Sequence, residues 1–226
     1  MARSSISLTV DAVVFGYHEN KKISVLLVQR KNEPFKGEWA FPGGFVEQEE
    51  SLEEAVLREL KEETGVGLSY LEQLYTFGLP NRDPRSRIVS IAYFGLVRPD
   101  TLTVKADSDA QDAKWFDIKN LPYLAFDHQD ILDIALKRLR AKIVYEPIGF
   151  ELLEKKFPFS ALENLYMTLL DRDIDRRNFR KKILSLEVLT ELDEKSLASL
   201  GRPAKLFEFN EKKYTQLKEE GIIFEI

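Results

Sequence analysis

The stretch that most limits what this chain can become runs from Gly44 to Val66, GFVEQEESLEEAVLRELKEETGV, in which eight residues are glutamates. Ser51 with Glu54 three residues on is a capping-box pattern and Gly65 after Thr64 suits a stop, which predicts a helix over roughly 52–64. At about 100° per residue from Leu52, the residues Ala55, Val56 and Leu60 fall at about 300°, 40° and 80° and form an apolar stripe for a core. Glu59 and Glu63 land inside that stripe at about 340° and 20°, with Glu62 beside them at about 280°. Glu53, Glu54 and Lys61 point to the flank or outward. Three carboxylates in the C-terminal half of a helix oppose its dipole and repel one another. A solvated acidic face laced with pairs such as Glu54–Arg58 and Arg58–Glu62 explains the composition, but Arg58 sits about 100° round the helix from Glu59. A divalent cation explains the remainder, and Gly43 and Gly44 would let a backbone carbonyl approach it.

Zero cysteines exclude disulfides, thiolate metal sites and a cysteine nucleophile, and His18 and His128 are the only imidazoles. Any metal therefore rests mainly on oxygen, which favours magnesium, manganese or calcium. A net charge of −5 with 44% apolar and 31% charged residues is the composition of a globular chain. No apolar run approaches a spanning helix and MARSSISLTV lacks the apolar core of a signal peptide, so the expected compartment is the cytoplasm, with no membrane partner.

SLTVDAVVFGY and ISVLLVQR are strand-like and joined by the polar HENKK, which predicts an antiparallel hairpin. KNEPFKGEWAFPGGFVEQEE, broken by Pro34, Gly37, Pro42, Gly43 and Gly44, predicts a long loop before the helix. LYTFGL, RIVSIAYFGLV and AKWFDI are further strand candidates, and HQDILDIALKRLRAKI has helical spacing. The pattern predicts a mixed α/β (α+β) layer domain over 1–147. Pro147 and Gly149 then punctuate the chain, and 148–226 forms a second domain. That second part carries 14 basic and 15 acidic residues against 19 and 23 in the first, so neither is basic as a whole.

Gly44, Glu50, Arg58, Glu59, Leu60, Glu62, Glu63, Gly65 and Val66 fit the Nudix box, G-x5-E-x7-R-E-U-x-E-E-x-G-U with U aliphatic, at every defined position. The resemblance implies an α/β/α sandwich that hydrolyses a nucleoside diphosphate linked to another group, with magnesium or manganese as cofactor. It implies Glu59 and Glu63 as principal metal ligands, Glu62 as a further ligand or base, Arg58 with Glu50 as the pair that orients them, and Gly44 or Gly43 as a carbonyl donor. Asp107, Asp109 and Asp112 are candidates for an additional acidic residue. Arg82, Arg85 and Arg87 in NRDPRSR could clamp a diphosphate, although arginines in such turns are usually solvated. Their placement before a strand resembles Nudix proteins that handle ADP-ribose. Trp39, Phe35 and Phe41 could stack on a base or simply pack.

Beyond the first domain, SALENLYMTLL and RRNFRKKILSL predict two helices around the turn DRDID, followed by strand-like LEVLTEL and PAKLFEFN, the outline of a winged helix-turn-helix. Phe179, Ile183 and Leu186 make the buried stripe of the second helix. Arg176, Arg177, Asn178, Arg180, Lys181 and Lys182, with Arg202 near the wing tip, are then candidates for phosphate and base contacts on double-stranded DNA. The whole chain resembles the Nudix-related transcriptional regulators, whose domain pair senses ADP-ribose or a sugar metabolite. Many such regulators have a degraded box and this chain has an intact one. Hydrolysis of ADP-ribose or a related nucleotide sugar and ligand-responsive repression are therefore both expected, with a homodimer if the operator is palindromic.

Overall fold

The computed structural model describes residues 5–18, 22–68, 70–99, 110–196 and 203–221. Its contacts divide the chain into two compact units, the first reaching Lys137 and the second starting at Arg138.

In the first unit, β1 (Ser7–Tyr17) and β2 (Ile23–Arg30) pair antiparallel with Phe15 opposite Val25, as their β-branched sequences predict. β1 leaves β2 after three pairs, and the freed edge takes β4 (Gly43–Phe45), with Asp11 opposite Gly43 and Val10 opposite Gly44. The segment expected as loop thus contributes two short strands, β4 and β3 (Trp39–Ala40), the latter pairing with β2. On its other side β1 runs parallel to β6 (Ile88–Val97), and β5 (Tyr70–Phe77) closes that edge. β7 (Ala110–Asp117) pairs with β2.

Helix α1 (Leu52–Thr64) has the expected bounds and both caps. Ser51 Oγ accepts from Glu54 N at 3.2 Å, Glu54 Oε2 accepts from Ser51 N at 2.8 Å, and Gly65 adopts φ 72° at the C-cap. Its Ala55, Val56 and Leu60 are buried with Val10, Ala12, Ile91 and Tyr93 of β1 and β6. Val13 and Phe15, which alternate with these on β1, are also fully buried, so both faces of the central strands are covered. α2 (His128–Tyr145) buries Ile131, Leu132 and Ala135. The division by contacts falls inside this helix, before the boundary expected near residue 147, because one continuous apolar periodicity carries no mark where its neighbours change. No helix among the described residues is long and apolar enough to cross a membrane.

The second unit holds α3 (Phe159–Leu170) and α4 (Arg176–Ser185) around a turn, then a three-stranded sheet of β8 (Lys156–Pro158), β10 (Lys205–Phe209) and β9 (Leu189–Lys195), in that order. This is the helix-turn-helix and hairpin of a winged helix. Asp175 caps α4, accepting from Arg177 N and Asn178 N. Phe157, Phe159, Leu162, Tyr166, Phe179, Ile183 and Phe207 fill the core. β9 begins later than LEVLTEL suggests, because Leu186 caps α4 and Glu187 turns the chain at φ 56°. α5 (Glu211–Glu220) was not anticipated, since it buries no residue and has no apolar stripe to find.

Phe179 is 2% exposed and contacts the rings of Phe159 and Tyr166, whereas Leu184 on the same helix is 38% exposed. Phe179→Ala is expected to lower unfolding stability by about 3–5 kcal/mol. Leu184→Ala should stay within about 0.5 kcal/mol. Urea midpoints of both variants check the contrast.

Candidate functional site

The first turn of the site is set by glycine. A Cβ on Gly43 would lie 2.1 Å from the Val10 carbonyl, so only hydrogen fits there, and one on Gly44 would lie 2.2 Å from Glu59 Oε1 and displace that carboxylate. The β4 backbone can therefore press against the polar side of α1. Glu63 is buried and its Oε2 accepts from Gly43 N at 3.0 Å. Glu59, on the same face one turn earlier, has its carboxyl pKa pushed up by burial, which outweighs the opposing pull of Arg58.

Arg58 is the hub of the cluster. Its Nε and Nη2 donate to Glu50 at 2.9 and 2.7 Å, Nη2 also to the Phe45 carbonyl at 3.1 Å, and Nη1 to Glu59 at 2.8 Å and Glu62 at 3.4 Å. The hydrogen bonds from Arg58, with a further one from Glu47 N, hold the Glu50 carboxyl down to about 2, and the same contacts with Glu50 raise the Arg58 guanidinium. Glu62 sits on the exposed flank. Glu53, expected to be solvated, is exposed but accepts from the Tyr93 hydroxyl at 3.0 Å.

Arg58, Glu59, Glu62 and Glu63 line a cavity of about 460 Å³. Among the described residues no three acidic or histidine side chains already converge as a cation cage. The donor chemistry nevertheless fits a hard cation: Glu59 and Glu63 offer oxygens beside the two glycines of β4, and a cation there would offset the burial that pushes the Glu59 carboxyl pKa up.

The arginines of NRDPRSR are separated by the fold. Arg82 is buried and forms a two-pronged pair with Asp127 at 2.8 and 2.6 Å, with its Nη2 3.7 Å from Asp11. It lines the cavity and is buried against carboxylates, so it is not the solvated turn arginine that the alternative expected. Arg85 also lines it, paired with Asp83 at 3.0 and 2.7 Å. Burial pushes the Asp83 carboxyl up, but these bonds outweigh it and hold it below its usual range. Arg87 donates to the Leu79 carbonyl at 3.3 Å and is not part of the lining. Arg30, at the end of β2, does line the cavity and was missed, because a basic residue closing a strand carries no sequence signal of its own.

Beneath the cavity lies a buried polar network. The Ser90 hydroxyl donates to Asp11, Phe41 N donates to His128 Nδ1 at 2.9 Å, and His128 Nε2 lies 3.6 Å from Asp11. With Nδ1 an acceptor, the ring proton sits on Nε2, facing the carboxylate. Phe41 stacks on His128 at 5.4 Å and Trp39 meets Phe116 edge-on at 4.6 Å, so both are packing residues. Asp112 pairs with Lys114 on β7, away from the lining, and Asp107 and Asp109 lie outside the described residues.

On α4, Arg176, Arg177 and Lys181 are exposed, Arg176 having Glu163 at 4.0 Å. Two further candidates, Arg180 and Asn178, are exposed and also make contacts within the domain. Arg180 lies 4.4 Å over the Phe159 ring, and the Asn178 amide donates to Asp175 at 2.8 Å. Lys182 is half-buried, and Arg202 lies outside the described residues.

The model of the NUDIX domain matches residues 7–135. The chain belongs to the Nudix family. Residues 149–209 match the NrtR DNA-binding winged helix domain, so a Nudix domain is fused to a winged helix. The chain is 34% identical over 206 residues to an ADPR responsive transcriptional repressor, NtrR, of Acinetobacter baylyi, covering 89% of this chain and 81% of that one. It is 45% identical over 126 residues to an ADP-ribose pyrophosphatase of Methanocaldococcus jannaschii, covering 56% and 70%. The structure of Shewanella oneidensis NrtR complexed with a 27mer DNA superposes with a TM-score of 0.78 at 35% identity, covering 92% and 95%.

Burial pushes the His128 imidazole below its ordinary value of 6.5. Below that pH the unfolded chain binds a proton at this residue and the folded Nudix domain does not, so stability falls as pH falls. The drop in urea midpoint from about pH 7.5 to about pH 5.5 should be smaller in His128→Gln than in the parent chain. An equal drop in both would contradict it.

Proposed function

We propose that this chain is an ADP-ribose-responsive DNA-binding regulator, acting as a homodimer in the cytoplasm, whose Nudix cavity also hydrolyses its effector. The observation that carries the reading is the coexistence on one chain of an intact carboxylate cluster in a cavity and a winged helix with an open basic face. Glu59, Glu62 and Glu63 are the residues that would hold magnesium or manganese, with a Gly43 or Gly44 carbonyl available beside them. A cation held there would supply charge neutralisation on the diphosphate oxygens and a more acidic attacking water. Arg58 orients Glu59 and Glu62, braced by Glu50. A cluster carboxylate takes the water proton as the oxygen bonds to phosphorus and the phosphoanhydride bond breaks, releasing AMP and ribose 5-phosphate. On α4, Arg176, Arg177, Asn178, Arg180 and Lys181 are exposed and available for phosphates and base edges in a major groove. The names of the relatives support both halves, since one is a repressor and another a pyrophosphatase.

Incubation with ADP-ribose and magnesium is expected to yield AMP and ribose 5-phosphate, with Glu63→Gln reducing turnover at least about 100-fold. Absence of turnover of any nucleotide sugar, or turnover unaffected by the substitution, would remove the catalytic half.

A further inference from the structure

The basic residues of α4 do not share one direction. At about 100° per residue, Arg177 and Lys181 stand about 140° and about 180° from the buried stripe of Phe179 and Ile183, whereas Arg180 stands only about 80° from it. Arg180 therefore leaves the flank of the helix, where α4 adjoins α3 and β10. Its guanidinium lies 4.4 Å from the ring centroid of Phe159, the first residue of α3, and 5.8 Å from that of Phe207 on β10. Both rings belong to the core, at 3% and 1% exposure, and they meet each other edge-on at 5.7 Å. The shelf beneath the guanidinium is thus as rigid as the core that holds it.

Stacking occupies the face of a guanidinium and leaves its N–H edge. Arg85 in the Nudix domain is also stacked on two rings, but its edge is taken by Asp83. Arg180 makes no hydrogen bond and no ion pair among the described residues, and it is exposed. The carboxylates of the neighbouring wing strand have other partners: Glu191, in register with Phe207, pairs with Lys205, and Glu194 pairs with Lys156 at 2.7 Å. The fold therefore fixes the plane of one guanidinium and leaves its donors pointing out of the domain.

Resting on the reading of α4 as a DNA-binding helix, we propose that Arg180, set on the shelf of Phe159 and Phe207, is a sequence-independent clamp on one backbone phosphate at the edge of the groove that α4 enters. A helix in the major groove turns its outward residues to the base edges and its flanks to the walls, which are sugar and phosphate. A planar fork matches phosphate oxygens two at a time. Because the shelf orients that fork before DNA arrives, little side-chain freedom is lost on contact. Arg180 thus fixes where the helix sits, and the outward residues read the sequence.

The test is binding of the full chain to two labelled duplexes of equal length, one from upstream of its own gene and one with the same bases shuffled, over a series of salt concentrations. Arg180→Ala is expected to weaken both by the same factor, at least about threefold, and to lower the slope of log affinity against log salt by about one. Arg180→Lys should keep the slope, since the charge remains, and still bind both duplexes more weakly than the parent chain, since the stacked fork is lost. Lys61→Ala, which removes an exposed charge from α1, should change neither quantity. If Arg180→Ala binds both duplexes like the parent chain, or loses far more on the upstream duplex than on the shuffled one, the clamp is wrong and the DNA reading stands. If Arg180→Lys equals the parent chain, the shelf does not position the residue and the proposal falls. If the parent chain binds neither duplex, the DNA reading falls and the clamp falls with it.

Discussion

A single guanidinium makes the acidic helix possible. Glu59, Glu62 and Glu63 stand within two turns at the negative end of α1, and Glu50 approaches from the segment before it. Their mutual repulsion and the cost of burying Glu59 would favour protonation or an open helix end. Arg58 reaches three of the four and the Phe45 carbonyl together. It leaves Glu63, which instead accepts from the backbone of β4 at Gly43. The acidic face is thus compensated from both sides but not neutralised, the condition under which a divalent cation and an anionic ligand gain most from entering together.

The sheet supplies the other half of the arrangement. β4 adds to β1 only because β2 has peeled away, and this puts Gly43 opposite Asp11 and Gly44 against Glu59. Asp11 in turn belongs to the buried network of Ser90, His128 and Arg82, which fixes the start of α2 and with it the strained Phe126. The cationic lining is therefore positioned by the same strand as the acidic lining. Catalytic geometry and ligand geometry share one scaffold.

Local chemistry was legible in the sequence and pairing across distance was not. The bounds of α1, its caps and the burial of its glutamate face follow from periodicity and a few end residues, which act within one or two turns. The first two strands were equally plain from their β-branched residues. The arginines misled because solvent and carboxylate compete for them, and the carboxylate that captures Arg82 lies 45 residues away. The contact of Arg180 with Phe159 was not legible because it depends on how α4 meets α3. Arg30 stayed hidden because only the fold brings it to Phe126. The Nudix and winged-helix matches cover both units, and the solved NrtR relative spans nearly the whole chain.

The central claim is that one cavity both responds to and consumes the molecule that controls the winged helix. Fluorescence anisotropy of a labelled fragment from upstream of its own gene, followed in time after adding ADP-ribose and magnesium, tests this directly. The account predicts that DNA affinity changes on addition and returns as the effector is hydrolysed, while in Glu63→Gln the change persists. Binding that is the same with and without ADP-ribose would contradict it.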